Sequence, residues 1–595
     1  MKSRTLHAAA LAAALWTAAV PAGALPSPKD SWIEVHTANF TLFSEVGERK
    51  TREIGEDLER LRDALSQLSP GLTLSSPIPT NIYVFRSASS FQPYQRIYNG
   101  KPLDSGGYFL GQQLANYVAI NGDQHGDERG IIYHEYLHYL LHNNFETLPL
   151  WLNEGLAEYY STFQSDRNEA RIGQPVREHV FWLRQHTFIP LSTLFAVTEK
   201  SPEYNETDRR GGFYAESWAL VHYMISGNPE RRRQASEYLR LLQAGTPPDQ
   251  IFAKAFGADP ATLEHELRIY IQKKLFDFTR LPIREGASLA VDVKPMPRAD
   301  VLYRLGDLLA NLGDDHAAEA AEHLRAALAL QPDHGPALAG LGFLAERAGR
   351  TAEARSYYEK AAKLAPDDVR VQYLYANNLI ADPGPDSLRL ARAALKRAVA
   401  LQPGFGEAWA RLGYTYQAEE NLPPEAVQVL ETAHRLLPSR MDVAHNLSLA
   451  YARTGQTAKA EELIERVLVP QGTPEEVESA REGLIDEEHR RAEELIDAQK
   501  LTEALPVLEG VKAKTSRPER RAEIERQIEE IHHVLNLSSF VESYNRAVEL
   551  ANRGKVQEAV AILEPLLQTA QDPEQAERAR RLLERLRPVR KKKVR

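Results

Sequence analysis

Apolar positions in the first half of the chain follow two periods, one typical of strands and one typical of a helix. Short alternating runs predict strands at residues 32–36, 40–43, 81–85, 108–110 and 117–120. Apolar residues at helical spacing predict a helix over 48–68, at Ile54, Leu58, Leu61, Leu65 and Leu68. From residue 126 to about 278 the pattern is helical throughout. We therefore expect an α+β domain over residues 25–280.

A proline-containing stretch separates this domain from a repetitive region. Residues 281–298 show little periodicity and contain Pro282, Pro295 and Pro297, so we predict a linker there. Beyond it, prolines recur at positions 332, 366, 403 and 438, about one helix pair apart. In the clearest repeat, the small and apolar positions that let two helices cross closely are Leu338, Leu341, Gly342, Ala345, Gly349, Ala354, Tyr358 and Ala361.

These offsets resemble the tetratricopeptide repeat, with about seven helix pairs over residues 299–572. The resemblance implies an all-α superhelix whose concave face binds a peptide or protein partner. A spacer or a dimerisation arm is the alternative use of such an array. Residues 573–595 end in a basic run, which we expect to be a solvated tail.

The N-terminus has the features of an export signal. Lys2 and Arg4 precede an apolar run over residues 6–20, and residues 22–24 have the small-x-small pattern of a cleavage site. We predict a signal peptide over 1–24, with an uncleaved anchor as the alternative. The run is shorter than the roughly 20 residues that span a bilayer, and no later stretch is apolar enough. We expect an exported protein, periplasmic or extracellular in a bacterium, without stable membrane insertion.

Composition restricts the possible chemistry. The chain has 595 residues and no cysteine, which excludes disulfides, thiolate metal sites and cysteine nucleophiles. Any metal must therefore be held by His, Asp or Glu. The formal net charge of −10 argues against nucleic acid as a partner, because phosphate binding needs a basic face.

The segment His134-Glu135-Tyr136-Leu137-His138 carries the strongest chemical signal. On a helix, His134 and His138 lie one turn apart on one face, where two imidazoles can occupy two corners of a zinc tetrahedron. Glu135 projects beside them, at the position of a general base. Two core or surface histidines are the alternative interpretation of such a short motif.

A second acidic motif offers a candidate for the third ligand. Glu154 and Glu158 lie one turn apart in a helical stretch, and Leu148-Pro149 indicates a break that lets this stretch fold back on the first. Glu154 then faces the two histidines, and Glu158 can orient one of them through its free ring N–H. We therefore predict a Zn²⁺ site formed by His134, His138 and Glu154.

Together the two motifs resemble those of the gluzincin metallopeptidases, that is, the thermolysin and aminopeptidase N families and, above all, exported "peptidase MA-like" domains. The resemblance implies a mixed sheet with an edge strand at residues 116–120, zinc ligation by Glu154, and support of a ligand by Glu158. It also implies that Tyr214 opens a helix after Gly211 and Gly212 and stabilises an oxyanion. Tyr214 as a mere packing residue is the alternative.

One departure from the aminopeptidases affects specificity. The segment by which they hold a free α-amine, Gly-x-Met-Glu-Asn, is absent before the histidine motif. We therefore predict an exported zinc-dependent endopeptidase that acts on peptides or proteins and recruits partners through its repeats. A scaffold protein with a non-catalytic zinc domain and a zinc hydrolase of non-peptide amides remain alternatives.

Overall fold

The computed structural model describes residues 25–69, 74, 78–98, 101–102, 106–122, 128–145, 148–166, 168–198, 200–205, 207–243, 246, 248–257, 260–283, 292–419, 422–570 and 572–587. The predicted signal peptide lies outside the described residues. The chain forms two compact units, Met1–Ala418 with Gln428–Ser439, and Glu419–Val427 with Arg440–Arg595. No helix of the described part is both long and apolar enough to cross a bilayer.

The strands are β1 (Ile33–His36), β2 (Thr41–Ser44), β3 (Thr80–Phe85), β4 (Ile97–Tyr98), β5 (Lys101–Pro102), β6 (Gly107–Gly111), β7 (Asn116–Asn121), β8 (Gln164–Ser165), β9 (Glu169–Ile172), β10 (Thr279–Pro282) and β11 (Asp292–Pro295).

The helices of the α+β part are α1 (Glu48–Leu68), α2 (Ala88–Phe91), α3 (Glu128–Asn144), α4 (Leu150–Ser161), α5 (Arg177–Gln185), α6 (Leu191–Ala196), α7 (Pro202–Asn205), α8 (Thr207–His222), α9 (Pro229–Gln243), α10 (Pro248–Phe256) and α11 (Pro260–Ile271). A π-helical turn, Tyr223–Gly227, continues α8, and a 3-10 turn, Gln92–Tyr94, follows α2.

The helices of the repeat region are α12 (Arg298–Leu312), α13 (Ala317–Leu330), α14 (Gly335–Arg347), α15 (Thr351–Leu364), α16 (Val369–Ala381), α17 (Ser387–Leu401), α18 (Gly406–Gln417), α19 (Pro424–Leu436), α20 (Met441–Arg453), α21 (Thr457–Leu463), α22 (Val469–Gln471), α23 (Pro474–Asp497), α24 (Leu501–Lys514), α25 (Pro518–Asn552), α26 (Val556–Thr569) and α27 (Pro573–Leu586). The turn Asp314–His316 is 3-10 and Ile464–Leu468 is π-helical.

A six-stranded mixed sheet lies at the centre of the first unit, in the order β11-β1-β2-β3-β7-β6. The predicted hairpins β1–β2 and β6–β7 are antiparallel, whereas β2–β3 and β3–β7 are parallel. The expectation that residues 116–120 form an edge strand is wrong, because β7 pairs with β3 on one side and β6 on the other. The edge next to β7 is β6.

The helical region expected over residues 126–278 also contains two short strands, β8 and β9. β8, β9 and β10 form a separate antiparallel sheet. Thr162 stabilises the end of β9. Its hydroxyl accepts hydrogen bonds from the backbone N–H groups of Gly173 and Gln174, which directly follow this strand. Such side-chain to backbone bonds offer an alternative to helical pairing.

Both faces of the central sheet are buried. Successive residues of a strand point to opposite faces, and in β3 Ile82 and Val84 join the core beneath α1 and α3. Tyr83 and Phe85 point the other way, into a second core that contains Tyr117 of β7 and residues of α12, α13 and α14. All six residues of β3 and of β7 are accordingly buried.

The first repeat helices, α12–α14, therefore cover the second face of the sheet and are not a separate module. The predicted linker is correspondingly structured where it is described, since β10 pairs with β9 and β11 adds an edge strand next to β1. The domain boundary expected at residues 281–298 is thus crossed by a shared hydrophobic core. Residues 284–291 lie outside the described part.

A buried polar cluster fastens the sheet to the repeats. Tyr117 of β7 donates a hydrogen bond to Asp307 Oδ2 of α12 at 2.9 Å. Arg370 of α16 pairs with Asp307 Oδ1, and Asp307 is 1% exposed. Asn311 donates a further hydrogen bond to the Tyr117 hydroxyl. Because Arg370 and Asp307 carry opposite charges and lie in contact, neither is buried without a counter-charge. The cluster therefore fixes the packing of β7 against α12 and α16.

The second unit continues the helical pattern to residue 586. Its helices pack in consecutive pairs such as α23–α24 and α25–α26. Residues 573–586, expected to belong to a solvated tail, form α27, whose Ala579 and Leu583 are buried against α25 and α26. The helical spacing of the few apolar residues in this segment is hard to recognise in the sequence, because many of its residues are charged.

We predict that the α+β part does not fold without the first repeats. A fragment of residues 25–297 would expose Phe43, Tyr83 and Tyr117, and apolar burial contributes about 25 cal/mol per Å². We expect this fragment to aggregate or bind a hydrophobic dye, whereas the control fragment 25–439 unfolds cooperatively. Equal cooperativity and equal Tm for the two fragments would contradict the shared core.

Candidate metal centre

The histidine motif lies on α3, which runs beneath the sheet. Its apolar residues Ile132, Leu137 and Leu140 are buried in the core, so the orientation of the helix is fixed. His134 and His138 then lie one turn apart, and their Nε2 atoms approach to 3.0 Å. The predicted break follows at the end of α3, and α4 begins at Leu150 after Pro149.

Glu154 on α4 completes a group of three ligand atoms. Its Oε2 lies 3.4 Å from Nε2 of His134 and 3.4 Å from Nε2 of His138. Gly155 lets α4 and α8 approach closely, because a Cβ there would lie 2.4 Å from the Ser217 carbonyl oxygen. The structure thus brings together the three residues that the sequence nominates.

Each of the three side chains is oriented by a neighbour. Nδ1 of His138 lies 3.2 Å from Asn153 Oδ1, and Nδ1 of His134 lies 3.5 Å from Glu158 Oε1. The Tyr204 hydroxyl on α7 donates to Oε1 of Glu154 at 3.2 Å. Both Nδ1 atoms therefore face oxygen acceptors, so each can keep its proton when a metal ion takes the Nε2 lone pair.

The charges of the site favour a cation. Burial raises the pKa of the Glu154 carboxyl, but the two histidines beside it outweigh burial and bring that pKa to about 2. Burial lowers the pKa of His134, but Glu154, Glu158 and Glu135 outweigh it and raise that pKa to about 9. In the absence of a metal the site thus holds a proton on His134, which a metal ion would displace.

The donor set fits Zn²⁺. With bonds of about 2.0–2.1 Å, the edges of a zinc tetrahedron are about 3.3–3.4 Å, and the three edges here are 3.0, 3.4 and 3.4 Å. Oε2 of Glu154 is buried and makes no hydrogen bond within the described structure, although Oε1 accepts one. A metal ion at the centre of the three atoms would satisfy this oxygen. Three protein ligands leave a fourth position open, as in catalytic zinc sites.

The side chain of Glu135 extends from the ligand helix α3 to the edge of the sheet. Its Oε2 accepts a hydrogen bond from the backbone N–H of Phe109 on β6 at 3.2 Å. The carboxylate is half-buried. The candidate base is therefore held beside an edge strand, and that strand is β6 rather than β7.

Tyr214 lies next to the site, but not at a helix start. It sits in the interior of α8, which begins at Thr207, so Gly211 and Gly212 are helical residues. Gly212 instead makes room for Trp182, whose ring would meet a Cβ at 2.5 Å. The Tyr214 ring lies 6.4 Å from that of His134 and stacks on that of Tyr204 at 6.2 Å.

Sequence reasoning missed four contacts of the site. Asn153 directly precedes Glu154, and its place in the same helical turn could have indicated it. Tyr204, His179 and Phe109 come from other elements, at separations with no helical or strand period relative to the ligands. Only the tertiary structure could reveal them.

Two family models match parts of the chain. Residues 79–245 match the collagenase family of zinc metallopeptidases, and this range contains all three candidate ligands. Residues 311–378 match the tetratricopeptide repeat. The first match indicates a zinc-metallopeptidase domain, and the second confirms the predicted repeats at residues 311–378.

Individual relatives are similar over short stretches only. The chain is 32% identical over 136 residues to Tetratricopeptide repeat protein 8 of Caenorhabditis elegans, and 38% identical over 86 residues to Protein O-mannosyl-transferase Tmtc2 of Drosophila melanogaster. These stretches are 23% and 14% of this chain, and the chain spans only 23% and 9% of the two relatives. Among solved structures, YrrB, a repeat protein with an unusual peptide-binding site, is 22% identical with a TM-score of 0.27, covering 31% of this chain and 92% of its own.

We predict that the purified protein binds one zinc ion and that His138→Ala abolishes this binding. The substitution removes one of three converging atoms and leaves the others without a full donor set. Metal analysis after dialysis is the measurement, with the exposed His265→Ala as the matched control. Equal zinc content in His138→Ala and the control would rule out the site.

Proposed function

We propose that the protein is an exported zinc-dependent endopeptidase of the gluzincin type. The observation that carries this proposal is the convergence of His134, His138 and Glu154 to within 4.8 Å of one another, with Glu135 beside them. The match of residues 79–245 to the collagenase family supports the same class of chemistry. When bound by these three residues, zinc supplies a Lewis acid that polarises a carbonyl and lowers the pKa of water.

Glu135 performs the proton transfers. As general base it accepts a proton from the attacking water, and as general acid it gives that proton to the leaving amine. The Phe109 N–H holds one carboxylate oxygen and thereby fixes the orientation of the group. No covalent intermediate is needed in this mechanism, and the chain has no cysteine to form one by thiolate attack.

Tyr214 stabilises the charge that develops on the carbonyl oxygen. Amide hydrolysis builds an oxyanion, and a phenol O–H fixed in place can donate to it without rearrangement. The ring is half-buried between the side chains of Tyr204 and His134, so packing limits its movement.

The edge strand β6 is the proposed binding surface for substrate. An extended peptide can add to an exposed sheet edge through main-chain hydrogen bonds, and Phe109 of this strand touches the candidate base. A chain laid along β6 would pass the base with residues on either side of the scissile bond. Together with the absence of an α-amine anchor, this supports endopeptidase action.

The repeat array and export complete the proposal. The repeats beyond the sheet-covering helices recruit a peptide or protein partner, as repeat arrays do. Residues 1–24 direct the chain out of the cytoplasm and are removed.

We predict that Glu135→Gln keeps zinc and fold but loses nearly all turnover. Loss of a general base typically costs 10²–10⁴-fold in rate. The measurement is digestion of an unbiased peptide library by zinc-loaded protein, with the exposed Glu178→Gln on α5 as the matched control. If the wild type cleaves nothing and Glu135→Gln fully complements a deletion strain, the scaffold function replaces the enzymatic one.

We predict that Tyr214→Phe lowers kcat by about 10²–10³-fold, with little change in KM or zinc content, because one preorganised donor is lost. Steady-state kinetics on a peptide found in the library digest measure this effect. Tyr238→Phe is the control, since that ring packs against Trp151 and Phe256. A Tyr214→Phe variant with full kcat would show that this tyrosine only packs.

A further inference from the structure

His179 on α5 contacts the site from outside the two ligand helices. Its Nε2 lies 3.1 Å from Oε2 of Glu158. The ring also lies 5.8 Å from that of Trp218 on α8, and about a fifth of the side chain is exposed. Nothing in the ligand motifs calls for a histidine at this position, which lies 21 residues beyond Glu158.

The two oxygens of Glu158 are divided between two imidazoles. Oε1 faces Nδ1 of His134 at 3.5 Å, whereas Oε2 faces Nε2 of His179 at 3.1 Å. A carboxylate only accepts hydrogen bonds, so His179 donates its Nε2–H in either protonation state. That donor fixes the rotation of the carboxylate about its last bond. Oε1 is then left to face His134.

The position of His179 is itself set by packing. Val180 and Leu183 of α5 are buried in the core. The neighbouring Trp182 fits against Gly212 of α8, which carries no Cβ to block it. Helix α5 thus packs against α8. This packing holds His179 in a fixed position beside Glu158.

We propose that His179 is a positioning residue for the metal centre. By holding Oε2 of Glu158 it keeps Oε1 on Nδ1 of His134, and this keeps the lone pair of His134 Nε2 directed at the metal position. This inference rests on the zinc site of the proposed function. Partners of this kind typically contribute 10–100-fold to metal affinity.

The test is the zinc affinity of the full-length protein, measured by competition with a chromophoric chelator. His179→Phe keeps a ring against Trp218 but removes the N–H, and we expect it to bind zinc 10–100-fold more weakly. His179→Gln restores an amide N–H at similar reach and should recover most of the loss. The matched control is His186→Phe directly after the same helix, where the ring stacks on Trp182 instead.

A second measurement separates positioning from general damage to the fold. In a Glu158→Ala background, the link to His134 is already cut, so His179→Phe should cause no further loss of zinc affinity. Equal affinity in His179→Phe and wild type overturns the positioning role, and so does a His179→Gln variant as weak as His179→Phe. A wild type that binds no zinc overturns the proposed function together with this role, whereas zinc binding without peptide cleavage affects only the proposed function.

Discussion

A carboxylate oxygen buried between two imidazole nitrogens imposes the main constraint on this protein. Oε2 of Glu154 makes no hydrogen bond within the described residues, and Nε2 of both His134 and His138 lies 3.4 Å from it. Removing such a group from water costs free energy unless a positive charge compensates it. The helices α3, α4 and α8 must therefore hold their mutual positions closely, and the tight contact at Gly155 serves this end.

The central sheet links this centre to the repeats. Its alternating residues give one face to the ligand helix and the other to α12–α14, so a single layer of strands serves two cores. The candidate base reaches the same sheet through Phe109 on β6. A rigid scaffold of this kind suits a site whose groups must be held to within fractions of an ångström.

Sequence patterns predicted the local elements well, and the three candidate ligands that they nominate lie close together. Period-2 alternation located β1–β3, β6 and β7. His134 and His138 share a helix face as their i, i+4 spacing indicates, and Glu154 of the following helix lies beside them. The family resemblance implies an edge strand at residues 116–120, but β7 pairs on both sides, because strand order depends on long-range pairing that neither periodicity nor a short motif encodes. The many charged residues of α27 obscure its apolar spacing, and the prolines of β10 and β11 indicate a linker although both segments form strands. His179 and Tyr204 reach the centre only through tertiary packing.

The shared core has a consequence for the evolution of the chain. Repeat arrays are commonly treated as interchangeable modules, gained or lost by recombination between domains. Here a crossover within residues 284–291 would separate Tyr117 from Asp307 and leave aromatic residues of the sheet without their covering layer. Exchange of repeats is physically permitted only beyond the helices that cover the sheet. The later repeats are thus free to diverge in length and sequence, while the first ones are inherited with the sheet as one piece.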